Sequence, residues 1–419
     1  MTTALRNPSV WLLILATTLL ATRSVIADPP PARLEFSEHQ VAGGPDDFMI
    51  VRHLRLKGTN RDIGHKLGEI AKQRHQVILE PLSPVMARAR RDYFERNYPV
   101  HFSRGVGAAE AFGQDFTTTT LDVFAAWLNI DLAPACSTVY YPPSFTSSGH
   151  AVLSRNYDFT TARWSQLARL PGIEGARPFT SDVYVVEVYP NEGFPSLFVT
   201  CYDLVGGAMD GVNSEGLSVA LLADDTGSLR DPAGTQAGLH EVQVVRFLLD
   251  NCATVDDAKS ALHSAKQYYS FTPTHYIIGD RSGKSFIWEY SRAHNKEYVT
   301  DGPGEPQIIT NHPVHKYKNL DDMPKESDPQ SSYERMRRLH ARIAEAKEKW
   351  STDWIKETNL CVAAEVGKAQ PRGAVVGRTL WHALYDLTDN SMQIDFYLGD
   401  DEASPNKQKR SGYQTFKLE

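Results

Sequence analysis

The fold is decided where Ala133-Pro134-Ala135-Cys136-Ser137-Thr138 gives way to Ser154-Arg155-Asn156-Tyr157-Asp158. Text before Cys136 is helical, and text after it is strand-like. Upstream, Ile63, Leu67, Ile70 and Ala71 fall on one apolar helical face with Thr59 or Asn60 as cap, and helical text runs on to about Ile130. Downstream, Ser181–Pro190, Ser196–Tyr202 and Gly216–Leu222 are β-rich runs separated by Gly and Asn. A cysteine on such a border has the side chain best suited to nucleophilic attack near neutral pH, provided that charge partners and a base are at hand. Arg155 and Asp158 are three apart, so an ideal strand points them to opposite faces. Only a bend or a strand end brings both to one cysteine.

Further out, helices are expected over Glu241–Asn251 and Ala258–Ala265, the second capped by Thr254 with Asp257. Hairpins follow at Thr274–Gly279 with Ser285–Tyr290 and at Arg378–Leu387 with Met392–Leu398. Ser331 and Glu334 open a charged helix expected to reach Trp350, after an exposed loop over Asn319–Gln330. Residues 28–47 read as a loose leader, and the residues beyond Leu398 as a polar tail. Helices and strands in this order predict an α+β fold with largely antiparallel sheets.

Composition narrows the function. Of 419 residues, 41% are hydrophobic and the net charge is −7, with no basic run that neutralises several phosphates, so nucleic-acid binding is not expected. Arg6, the apolar run Val10–Ala21 and the small residues Val25 and Ala27 before Asp28 form a signal-peptide pattern over 1–27. The run falls short of the roughly 20 residues needed to span a bilayer. Export is therefore expected, to a periplasm or the exterior, or to a lysosomal-type lumen in a eukaryote, with no membrane association after signal removal. The absence of an Asn-x-Ser/Thr sequon free of Pro favours the periplasm. Cys136, Cys201, Cys252 and Cys361 lack metal-type spacing, and at most one disulfide can form among the last three. His312 and His315 offer half a metal site without further ligands, and Gly206, Gly207 and Gly211 do not form a phosphate loop, so neither metal nor cofactor is expected. Tyr140-Tyr141-Pro142-Pro143 either lines an acyl pocket or packs.

The run from Cys136 to Asp158 resembles the start of the mature chain in the choloylglycine hydrolase and penicillin acyltransferase families, N-terminal-nucleophile enzymes in which a Cys precedes an Arg-Asn-x-Asp strand. Similar text recurs in order: Gly58-Thr59-Asn60-Arg61-Asp62-Ile63-Gly64 with Gly68, Val212-Asn213-Ser214-Glu215-Gly216-Leu217, Ile309-Thr310-Asn311-His312-Pro313, Ser332-Tyr333-Glu334-Arg335, and the hairpin holding Thr379-Leu380-Trp381. The resemblance implies a four-layer αββα sandwich and a cut between Ala135 and Cys136. The helical segment 28–135 would become a small chain sharing one domain with a catalytic segment 136–419. It also implies a thioester on Cys136, with Arg155 favouring the thiolate, Asp158 orienting the new amine, Asn311 donating to the oxyanion and Arg335 beside the nucleophile.

The implied partner is a small N-acyl amide: an acylated β-lactam, an N-acyl amino acid, an N-acyl homoserine lactone or a conjugated bile acid, with water or another acceptor taking the acyl group. One position departs from the pattern. Choloylglycine hydrolases carry a second Asn about ten residues after the Asn of the Asn-x-x-Gly-Leu turn, and here Ala223 stands there with Asp224 next, which puts bile-salt specificity in doubt. Two other readings remain at this stage: a papain-like protease with His312 as base, and a binding protein on a degenerate enzyme fold.

Overall fold

The computed structural model describes residues 34–75, 77–124, 135–161, 179–201, 204–224, 236–270, 272–291, 294–364 and 377–419. The expected signal segment, Ala133 and Pro134 lie outside them. The strands are β1 (Glu35–Gly43), β2 (Ile50–Gly58), β3 (Ala135–Tyr141), β4 (Val152–Thr160), β5 (Asp182–Pro190), β6 (Ser196–Thr200), β7 (Asp210–Asn213), β8 (Leu217–Ala223), β9 (Thr274–Asp280), β10 (Ser285–Ser291), β11 (Lys296–Asp301), β12 (Gln307–Ile309), β13 (Gly377–Asp386), β14 (Ser391–Asp400), β15 (Gln408–Arg410) and β16 (Gln414–Lys417). The helices are α1 (Asn60–His75), α2 (Pro84–Asn97), α3 (Pro99–Ala111), α4 (Glu241–Asn251), α5 (Val255–Ser264), α6 (Ser332–Ala344) and α7 (Thr352–Leu360).

One sheet runs β1-β2-β5-β6-β7-β8-β9-β10-β11 and the other β12-β3-β4-β13-β14-β15, with β16 also on β14. Among these pairings only β2 with β5 is parallel. α1 packs on β2 and β5, α4 on β7 and β8, and α5 on β9; α6 and α7 cover β3. The sheets meet where β3 faces β8 and β9, and a Cβ on Gly279 would sit 2.4 Å from the Tyr140 ring. The order is therefore α, β, β, α, the expected sandwich. Arg33–Glu419 forms one compact unit.

Local signals account for the helix starts. Thr59 Oγ1 accepts from the Asp62 N–H at 3.1 Å, Thr254 and Asp257 cap each other's backbone, and Ser331 Oγ accepts from the Glu334 N–H at 3.3 Å. The Gly58-to-Gly68 motif has a packing cause. A Cβ on Gly64 would lie 2.1 Å from Arg104 O, and one on Gly107 1.9 Å from Arg61 O, so α1 and α3 meet backbone to backbone.

Three expectations need correction. The supposed loose leader holds β1, paired along β2 with a bulge between Gln40 and Ala42. Its alternation is masked because both faces are partly exposed. The charged helix stops at Ala344, and α7 starts afresh from Ser351, whose Oγ accepts from the Trp354 N–H. The polar tail contains β15 and β16, edge strands on β14, where polar side chains are tolerated. All four cysteines are free thiols, Cys361 alone among them being exposed. Tyr140 and Tyr141 pack: one hydroxyl donates to Asp280 O at 2.8 Å and the other to Asn359 Oδ1 at 3.2 Å.

Candidate active site

Cys136 is fully buried near the start of β3, opposite Tyr157 of β4. Strand alternation then sorts its neighbours. Arg155 and Tyr157 share its face, toward the other sheet, while Asn156 and Asp158 point the other way, toward the helices. Asn156 accordingly donates to Asn359 O on α7 at 2.6 Å. The β3–β4 register is unbroken, so no bend in β4 gathers Arg155 and Asp158. The irregularity lies in β13, which bulges between Thr379 and Trp381 opposite the end of β4.

Of the other four residues picked from the sequence, Arg155 on β4, Asn311 in the loop after β12 and Arg335 on α6 reach Cys136, while the Asp158 side chain lies on the opposite face of β4. Arg155 Nη2 lies 3.7 Å from Cys136 Sγ. Asn311, just past β12, accepts from the Cys136 N–H through Oδ1 at 2.6 Å and donates through Nδ2 to Ala223 O at 2.8 Å. Arg335, in the first turn of α6, donates from Nη2 to Asn311 Oδ1 at 2.7 Å and from Nη1 to the Cys136 carbonyl. It is buried, whereas Arg337 and Arg338 beside it bond to loop carbonyls at the surface. Asp158 accepts from Thr379 Oγ1 at 2.5 Å.

Two details differ from the implied roles. The Cys136 nitrogen is held by the carbonyl end of Asn311, not by the Asp158 carboxylate, because Asp158 sits on the opposite face of β4. The site that lacks the second Asn is also occupied, since the Ala223 carbonyl takes one hydrogen of the Asn311 amide.

Electrostatics favour the neutral thiol. Burial pushes Cys136 up to about 11, outweighing the pull of Arg155, of the Asp158 backbone N–H and of Arg335. Burial also raises Asp158 to about 6, against the opposing influence of Arg335 and the Thr379 hydrogen bond. Arg155 is itself engaged, its Nε 2.6 Å from Asp210 Oδ2 on β7, and Asp210 also accepts from Tyr385 Oη and Trp381 Nε1. Sequence reading passed over Asp210. A lone carboxylate in the buried run Ala208-Met209-Asp210-Gly211-Val212 was the available signal, because such a group must be paired.

His312 turns away from the thiol: its Nδ1 is 2.8 Å from Ser332 Oγ, its ring stacks on Tyr333, and burial lowers its pKa to about 3. His315 engages Glu289 at 2.7 Å, so the two histidines do not converge on a shared ligand position. Asn213, the anchor of the Asn-x-x-Gly-Leu text, braces the β7–β8 turn to α4 through Leu249 O and Cys252 O.

The family model described as acyl-coenzyme A:6-aminopenicillanic acid acyl-transferase matches residues 145–402, more than half of the chain. The chain belongs to this acyl-transferase family. The match opens shortly after Cys136 and spans Arg155, Asp158, Asn311 and Arg335. Membership makes the protein an enzyme of the acyl-transferase type.

Solved structures similar to this acyl-transferase family member include a variant of the conjugated bile acid hydrolase from Clostridium perfringens, at a TM-score of 0.49 and 16% identity over 68% of this chain and 97% of that one. A second variant of that hydrolase gives 0.48 and 15% over the same shares. Penicillin V acylase from Agrobacterium tumefaciens gives 0.43 and 18% over 62% of this chain and 82% of its own.

Proposed function

We propose that the protein is an exported, self-cutting cysteine amidohydrolase or acyltransferase that acts on a small, non-peptide N-acyl amide through a thioester on Cys136. The observation that carries this is the grip on one residue: side chains from β4, α6 and the loop after β12 hold the nitrogen, carbonyl and sulfur of Cys136.

In the cut, Cys136 Sγ attacks the Ala135 carbonyl carbon, the bond from that carbon to the Cys136 nitrogen breaks, and the nitrogen keeps the thiol proton. Water then hydrolyses the resulting thioester, leaving a carboxylate on Ala135 and a free amine on Cys136. That amine solves a problem of proton transfer. A thiol held near 11 is almost entirely protonated at neutral pH. An α-amine with a reference pKa of about 7.7–8.0 accepts its proton far more readily than a lysine near 10.4. With a substrate amide, Sγ attacks the acyl carbon as the amine takes the thiol proton. The ammonium returns that proton to the leaving nitrogen, and water or an acceptor amine resolves the thioester.

In this mechanism Asn311 Oδ1 orients the new amine, and the Asn311 amide serves the oxyanion, a role whose loss costs about 3–4 kcal/mol in other acyl-transfer sites. Asp158 and Arg335 balance charge on the outer face. The papain-like reading is disfavoured because His312 is turned onto Ser332 and kept neutral.

Intact mass and N-terminal sequencing of purified protein test the reading. Two chains are expected, the larger starting at Cys136, with Cys136→Ala remaining whole and failing to release acyl groups from a panel of N-acyl amides. An uncut chain that still hydrolyses amides overturns it.

A further inference from the structure

We propose that Asp210 is a positioning residue for this reaction: it holds the Arg155 guanidinium beside the Cys136 sulfur and sets how much of its charge the thiol feels. The inference rests on Cys136 being the nucleophile.

Arg155 and Asp210 are both fully buried and come from opposite sheets, so the pair bridges the sandwich directly behind the thiol. Among the described residues, Arg155 Nε and Nη1 make no aligned hydrogen bond, although Nε lies 2.6 Å from Asp210 Oδ2. The guanidinium is thus held by charge and packing rather than by a fork of two parallel bonds. Its Cζ lies over the Tyr157 ring, 5.2 Å from the centroid; that ring stacks on Trp381 at 3.9 Å, and Trp381 Nε1 lies 3.4 Å from Asp210 Oδ2. Tyr385 Oη donates to Oδ1. Asp210 therefore divides its charge among an arginine, a phenol and an indole.

On the inner face the groups near the thiol and its arginine are Asp210 on β7, Tyr157 on β4 and Tyr385 on β13, while the charges of Asp158 on β4 and Arg335 on α6 act from the outer face. Among them Asp210 makes the closest ionic contact with Arg155. The thiol consequently sees the positive end of a compact ion pair, a weaker field than a lone guanidinium provides in a dry site. This explains why Arg155, at 3.7 Å, does not overcome the effect of burial on Cys136.

Two substitutions are expected to move the thiol titration in opposite directions. Asp210→Asn keeps the shape but removes the counter-charge, so the full Arg155 charge falls on Cys136 and its titration shifts to lower pH. Tyr385→Phe removes one competing donor and leaves Asp210 free to pair more fully with Arg155, so the titration shifts to higher pH. The readout is thiolate absorbance at 240 nm, taken as the difference between each protein and its Cys136→Ala counterpart. Shifts of about half a pH unit or more are expected. Turnover of an N-acyl p-nitroanilide should show the pH dependence of kcat moving in the same direction as the titration in each variant, with KM within about threefold.

Unmoved or same-direction titrations in the two variants overturn the inference, and Tyr385→Phe decides alone where Asp210→Asn does not fold. Amide turnover that survives Cys136→Ala overturns the nucleophile reading instead, which the titrations do not address.

Discussion

Asp158 is a carboxylate in a place that resists its charge. Its folded pKa is near 6 against an ordinary value of 3.8, and burial is the main cause. A raised pKa means that the protonated form favours folding below about pH 4, and that this contribution is lost as pH rises through about 6. Above that range the ionised group costs on the order of 3 kcal/mol. Asp158→Asn should therefore raise the melting temperature at pH 7, with the gain fading at pH 4, while self-cutting and amide turnover collapse. Thermal unfolding at the two pH values checks this, and a lower melting temperature at pH 7 would count against it.

Cys136 and the neighbours it contacts through Arg155 and Asn311 were legible because their local text is distinctive: a Cys before an Arg-Asn-x-Asp strand, and an Asn in Thr-Asn-His-Pro. The sequence did not reveal which end of the Asn311 amide meets the Cys136 nitrogen, or that Asp210 sits behind Arg155. Both depend on how separate strands and loops register across the sandwich.

At the scale of elements, the contact between α1 and α3 shows what the glycines in the Gly58-to-Gly68 text are for. Helix propensity alone predicts that Gly107→Ala stabilises α3 by up to about 1 kcal/mol. The structure predicts the opposite sign, because the added methyl would lie 1.9 Å from Arg61 O, a backbone atom that cannot swing aside. A net loss of about 1–3 kcal/mol is expected, read from the midpoint of chemical denaturation. Helices were the most legible elements, since Thr59, Thr254 and Ser331 cap as their side chains dictate. Strands at sheet edges were the least legible. β1, β15 and β16 bury little on either face, so the apolar text that betrays β8 or β9, strands buried along their whole length, is absent from them.

The whole molecule explains why a cut at Ala135 need not release the preceding segment. β2 pairs with β5 along nine registered positions, placing strands from before and after the cut side by side inside one sheet. The helices add buried polar links: Arg90 donates to Tyr268 at 2.8 Å and to Gln236 O at 2.6 Å, and Arg104 reaches Asp250 on α4 at 3.0 Å. Asp250 is the pivot, since Arg246 at 3.1 Å and Tyr98 also converge on it. The two arginines hold its carboxylate below the usual range despite burial. Neutralising it strands two guanidinium groups without water, a loss typically of about 3–5 kcal/mol for one broken buried pair. In cut protein, Asp250→Asn should therefore lower the guanidinium chloride concentration at which the small chain separates, whereas unsubstituted protein elutes as one species until the sandwich itself unfolds. Size-exclusion chromatography across a denaturant series measures this, and separation at the same concentration for both proteins would show that the strand pairing alone holds the chains together.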